Sequence, residues 1–136
     1  MEESTLSNRV RIDVRWRDLD MLGHLNQAVY HEYLEEGRAA LLEQLGRLGD
    51  FAFVLAKVEL NYRHEVRKDH GHVEILSTVT GVGRSSITIE NRILTSDRTL
   101  AAEGTTVLVA WDPHAHRSKP LTPDQRGALL GAGATA

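Results

Sequence analysis

Cysteine is missing from all 136 residues of the chain. That excludes disulfides, thiolate nucleophiles, Cys-ligated zinc and iron–sulfur centres together. Aromatic residues make up only 5%, so the wall of any apolar pocket has to be mainly aliphatic. There is no basic excess either. The formal charge is −3, and nucleic acid is not expected as a partner. No apolar run approaches the roughly 18 residues of a membrane span. The start, "MEESTLSNRVRIDVRW", is polar and acidic without an apolar signal-peptide core. A cytoplasmic protein with no membrane partner is the expectation.

What is present describes one ordinary globular domain, at 41% hydrophobic and 26% charged residues. A single domain over 1–136 is expected, its ordered core running from about 9 to 130. In "RVRIDVRWR" the residues Val10, Ile12, Val14 and Trp16 alternate with Arg9, Arg11, Asp13, Arg15 and Arg17. A period of two with β-branched residues predicts a half-buried strand. From Gln27 to about Leu45 the period changes. Tyr30, Leu34, Gly37, Leu41, Leu45 and Leu48 recur at steps of three and four, predicting a long helix. Asn26 suits its N-cap, and Gly46 or Gly49 its end.

Four further strands are expected. Alternation within Phe51–Val66 marks one; Val73, Ile75 and Val79 mark the next, bounded by Gly71 and "GVG". Ile87, Ile89 and Ile93 lead into the turn "TSDRT", and Thr105, Val107, Val109 and Trp111 lead to Asp112. "PLTPDQRGALLGAGATA" predicts one short helix and a loose tail. Short links favour an antiparallel sheet, and one helix must cover one of its faces.

The chemistry concentrates in "RWRDLDMLGHLNQAVYHEYLEEGR", where two aspartates, a histidine and an asparagine precede the helix. Asp, Asn and Gly at that place also serve as turn and capping residues. A metal site would draw on Asp18, Asp20 and His24, but "HEYLE" carries Glu35 where a zincin helix needs its second histidine. "DPHAH" and "HEVRKDHGH" bring histidines together only in expected surface loops, so no metal site is assigned. A hydrolytic site fits the same residues. A carboxylate beside a helix start can act as base or nucleophile. The free N–H groups of the first turn can hold a developing oxyanion.

This segment closely resembles the signature of hot-dog-fold acyl thioesterases of the 4-hydroxybenzoyl-CoA thioesterase-like superfamily. There a strand with an aromatic end runs into Asp-x-Asp-x-x-Gly-His-Val-Asn-Asn and then a helix. The resemblance spans roughly Arg9 to Leu130, with "RSSITIENRIL" similar to the family's fourth strand and "KPLTPDQRGAL" to its tail. It implies an α+β hot-dog fold, an antiparallel five-stranded sheet wrapped around one long helix. It also implies an acyl-CoA thioesterase without cofactor. Asp20 matches the catalytic carboxylate, as nucleophile or general base, and the backbone N–H of Gln27 matches the amide that polarises the thioester carbonyl. His24 and Asn26 match polar residues that order the site; Asp18 is read as support for the loop. Gly23 would allow a tight turn, while Tyr30 and Glu35 would lie one and two turns into the helix as substrate-binding residues, Glu35 lining the pocket or else binding a partner chain. Arg84 and Ser85 fall where contacts to coenzyme A phosphates are expected, with Arg63, Arg67 and Lys68 as vaguer candidates. The family further implies a homodimer or homotetramer with sites between subunits.

The chain departs from the family pattern in three places. Leu22 stands where plant acyl-carrier-protein enzymes have asparagine, Gln27 replaces the second asparagine, and Glu65 with Asp69-His70 replaces a proline and Gly-Asp. A non-catalytic acyl-CoA or acyl-carrier-protein binding module on the same fold is the alternative. Hot-dog hydratase chemistry fits less well, because His31 has no matching aspartate along the helix.

Overall fold

The two periods of the sequence meet as a helix laid across an antiparallel sheet. A computed structural model describes residues 5–45 and 52–131. The order is β1 (Ser7–Asp13), α1 (Gln27–Glu43), β2 (Phe53–Tyr62), β3 (His72–Val82), β4 (Ser86–Thr95), β5 (Leu100–Asp112), β6 (Arg117–Ser118) and α2 (Pro123–Leu130). The strands lie in the order β1-β3-β4-β5-β2, with β6 paired to the end of β5. Every pairing is antiparallel. Register shifts between Leu55 and Lys57, Val79 and Gly81, and Ile93 and Leu94 bend the strands, which curls the sheet toward α1.

One face of α1, carrying Val29, Tyr30, Tyr33, Leu34, Gly37 and Leu41, is buried. Its first half packs with Ile12, Val14, Val73, Ile75 and Ile93. Leu41 and Leu45 pack instead with Val79, Ile87, Ile89, Leu108 and Leu129 of α2. Gly37 sits where the helix crosses β3, and a Cβ there would lie 2.7 Å from Ile75 Cγ2. A larger residue at that crossing forces Ile75 or the helix to shift.

Several expectations change. The helix spans 17 residues, about 25 Å at 1.5 Å per residue. It is shorter than the run to Leu45, because the N–H groups of Gln44 and Leu45 close it as a turn on the carbonyls of Leu41 and Leu42. Leu48, Gly46 and Gly49 lie outside the described residues. The first strand ends at Asp13, so Trp16 leaves the alternating row; it enters a 3₁₀ turn and stands 81% exposed. In β5 the buried row is Thr106, Leu108 and Ala110, one register step from Thr105, Val107 and Val109. The two-residue β6 was too short for any periodic signal. It makes the sheet six-stranded rather than five-stranded.

The second strand stops at Tyr62, short of Val66, and pairs on one side only, with β5; Phe51 lies outside the described residues. Among the described residues no strand pairs with its other edge. Val54, Leu55, Val58 and Tyr62 are exposed along it. A ten-residue apolar edge of this kind is what proteins ordinarily cover or blunt.

Candidate active site

The loop between β1 and α1 is built on a buried carboxylate. Asp18, 4% exposed, accepts hydrogen bonds from Tyr33 Oη at 2.6 Å and from the Arg15 backbone N–H and Nε, both at 3.1 Å. Burial alone would raise its pKa, yet these three donors outweigh it and hold the carboxyl below its ordinary range. Burial and the Asp18 charge push the Tyr33 phenol well up, so it stays a donor. The Asp18 carbonyl takes the Asn26 N–H at 2.9 Å, joining the front of the loop to the helix start.

Asp20 sits at the surface of that loop. Its Oδ1 accepts the N–H groups of Leu22 at 2.9 Å and His24 at 3.1 Å. Its own N–H donates to the His24 carbonyl at 2.7 Å, and its carbonyl accepts from Gly23 at 3.1 Å. Gly23 has φ +79°, a conformation that a side chain strains. The carboxylate is therefore fixed through Oδ1, with Oδ2 outside these bonds. Asn26 caps α1, its Oδ1 accepting from Ala28 N–H at 2.9 Å and its carbonyl from Val29 N–H at 2.9 Å. The N–H of Gln27 lies outside both bonds, at the positive end of the helix dipole.

The far side of the loop is pinned to the segment after β2. Leu25 N–H donates to the Val66 carbonyl at 2.7 Å, and His24 forms a β-bridge with Arg67. His24 Nε2 lies 2.7 Å from Glu65 Oε1, while Arg67 holds Glu65 at 2.8 Å and Asp69 at 3.0 Å. The Arg67 hydrogen bond, aided by the charge of His24, keeps the Glu65 carboxyl below its usual range.

Asp20, His24, Gln27 and Tyr30 thus line one hollow with Tyr62, Arg63, His64 and Glu65, of about 380 Å³. Tyr30 and Tyr62 close its floor edge to face, with ring centroids 4.9 Å apart. Burial, reinforced by Tyr62, Asp20 and Glu65, raises the Tyr30 pKa. Gly23 belongs to an adjoining depression beside the exposed Trp16 and Met21, which Asp20 also borders.

Other expected residues lie apart. Glu35 borders a second hollow of about 490 Å³ between α1 and β2. Arg84 and Ser85 form the β3–β4 turn, where their carbonyls accept the N–H groups of Leu121 and Ala110. β3 starts beside Asp13, near the loop, and runs 11 residues to that turn. At ~3.3 Å per residue this separates Arg84 and Ser85 from Asp20 by roughly 30 Å within one chain. Among the described residues no three His, Asp or Glu side chains converge as a metal site. Tyr62, His64 and Glu65 also line this hollow, and the sequence pattern assigned them no role. Their only signal was the polar run that ends β2.

A profile of the thioesterase-like superfamily matches residues 14–129. The chain belongs to that superfamily, and it is a thioester hydrolase. Among solved structures it is similar to a thioesterase from Thermus thermophilus complexed with coenzyme A and Zn, at 34% identity and TM-score 0.81, covering 94% of this chain and 95% of that one. It is similar, too, to a putative thioesterase from Pseudomonas aeruginosa, at 32% identity and TM-score 0.80, covering 91% and 98%. A probable thioesterase from Escherichia coli shares 27% identity and TM-score 0.76 over 90% and 96%. The antiparallel sheet with its helix is the hot-dog arrangement of these proteins. No curated protein matches in sequence.

Proposed function

We propose that the chain hydrolyses acyl-CoA thioesters to free acid and coenzyme A, with Asp20 as the reacting carboxylate. One observation carries this reading. Asp20 and Gln27 line the same hollow, the first held by loop N–H groups through Oδ1 alone and the second offering the first N–H of α1. Oδ2 takes a proton from a water molecule as the water oxygen bonds to the thioester carbon. The carbonyl oxygen gains the negative charge, and the Gln27 N–H with the helix dipole holds it. When the tetrahedral intermediate collapses the C–S bond breaks, and the departing sulfur recovers the proton from Asp20. Direct attack by Oδ2 would form a mixed anhydride that water then hydrolyses, giving the same products.

His24 is a positioning residue: its N–H orients Asp20 and its ring is held by Glu65. Asn26 acts through the cap that fixes Gln27. The coenzyme A bound in the Thermus relative supports that carrier here. The open β2 edge supports a homodimer, or a tetramer built from two, and Arg84 and Ser85 would then serve a subunit other than their own. The test is thiol release across an acyl-CoA panel, run beside Asp20→Asn. This near-isosteric change is expected to cut the rate at least ~100-fold, on the scale of losing a general base, with the fold intact. Acyl-CoA binding without thiol release by the unaltered protein would point instead to a binding module.

A further inference from the structure

Asp20 stands between two hollows. One is the polar hollow that Gln27 and Tyr30 line. The other, about 650 Å³, is walled by Trp16, Leu19, Met21 and Gly23, with Arg17 beside them. Trp16 and Met21 are exposed on it, and large apolar side chains left open together mark a binding surface. Among the residues lining this hollow only Arg17 and Asp20 carry charge.

The four arginines that lead into the loop are not alike. Arg9 pairs with Glu74, Arg11 with Asp13 and Arg15 with Asp18. Arg17 is exposed and has no ion pair among the described residues. Its backbone is nonetheless fixed. The 3₁₀ turn around it closes with Asp18 N–H on the Arg15 carbonyl at 2.9 Å and Leu19 N–H on the Trp16 carbonyl at 3.2 Å. Asp20 by itself would repel an anionic acyl group. Arg17 offsets that charge on the same hollow, and its planar fork of donors matches a carboxylate.

Reach decides which anion that is. At no more than ~3.6 Å per residue, the α-carbons of Arg17 and Asp20 lie within ~11 Å of each other. The free carboxylate of a six-carbon diacid ends ~6 Å from its thioester carbon, inside that span. The arm of coenzyme A from its sulfur to its first phosphate runs roughly 14 Å when extended, past it. We infer that Arg17 sets substrate choice by binding the free carboxylate of a short dicarboxylic acyl group, whose methylene chain lies on Trp16 and Met21 while its thioester stands at Asp20. This inference rests on the thioesterase reading proposed above.

Thiol release from three CoA thioesters tests it: hexanoyl, adipyl with its free carboxylate, and trimethylammoniobutanoyl with a cationic end. The unaltered protein is expected to favour adipyl over hexanoyl by about ten-fold in kcat/KM, between the strength of an exposed ion pair and that of a charged hydrogen bond. Arg17→Gln is expected to remove that preference, chiefly through KM, because Arg17 lies away from the breaking bond. Arg17→Glu is expected to invert the ranking, with the cationic substrate preferred to adipyl. Both changes fall at an exposed position, and circular dichroism with Tm confirms the fold. The same acyl groups on pantetheine, which lacks the phosphates, separate the acyl carboxylate from the carrier as the bound anion.

The inference is overturned if the unaltered protein treats hexanoyl-CoA and adipyl-CoA alike, within about two-fold, or if Arg17→Gln leaves their ratio as it was. It is overturned as well if Arg17→Gln slows both CoA thioesters equally and the pantetheine thioesters not at all, which would assign Arg17 to a phosphate of the carrier. In each of these cases the thioesterase reading stands. If only acyl-CoAs outside this panel release thiol, the inference is likewise overturned. If none does, the functional reading falls and takes the inference with it.

Discussion

Replacing Tyr33 by phenylalanine removes one oxygen from the interior and leaves the ring in place. Tyr33 is fully buried and donates at 2.6 Å to Asp18, which is itself 4% exposed. A hydrogen bond to a charged group contributes about 1.5–3 kcal/mol. The ring keeps its volume, so no cavity term is added. We expect Tyr33→Phe to lose about 2 kcal/mol at pH 7. For a chain of this length that is a fall in Tm of roughly 6 °C.

The sign of the pH dependence follows from the carboxyl. Asp18 has its folded pKa lowered, so its stabilisation is full above the ordinary aspartate pKa and disappears as pH falls through the folded value. With the phenol gone, the folded pKa moves back toward the ordinary range. The gap in stability between the two proteins should therefore be widest at neutral pH and narrow below about pH 4. Urea unfolding of both proteins at intervals from about pH 7 to about pH 3 measures it. A gap that stays constant across that range would refute the ionic account of the loop, and a loss below about 0.5 kcal/mol would refute the anchor altogether.

Glu65→Gln should lower kcat without a comparable change in stability, because it removes the charge that faces His24 at 2.7 Å. The Glu65 pKa is lowered, so its charge persists into mildly acid pH and is lost as pH drops through that depressed value. The variant's pH–rate profile should accordingly differ from the parent's on the acid side, and an unchanged profile would remove Glu65 from the site. Gly104→Ala should be more drastic, since its Cβ would fall on the Glu59 carbonyl where β5 carries β2. We expect loss of the dimer on light scattering, and a dimer of unaltered Tm would contradict the close strand packing.

Some of this molecule is written locally and could be read from residues in order. Alternation in Val73–Val79 and Ile87–Ile93 located β3 and β4, and Asn26 caps α1 where capping chemistry placed it. Each of these depends on a residue and neighbours within one turn or one strand. Trp16 shows the limit of that reading. It continues the strand's period, but the 3₁₀ turn built on Asp18 carries it out to solvent. The row of β5 that became core was likewise decided by which face α1 covered, because both rows alternate equally well.

The site divides in the same way. Asp20, Gly23 and His24 form a turn whose hydrogen bonds span four residues or fewer, and spacing alone made that turn visible. Glu65 joins His24 from 41 positions away, and Tyr33 joins Asp18 from 15. Neither partner has a local pattern that could announce it. The sequence by itself determined the strands, the helix and the acid that stands before it. Only the tertiary structure decided which side chains hold that acid, which edge is left open, and where the apolar hollow lies. Periodicity sets the direction a residue faces along its own element; which other element it faces depends on how the sheet curls and where α1 crosses it.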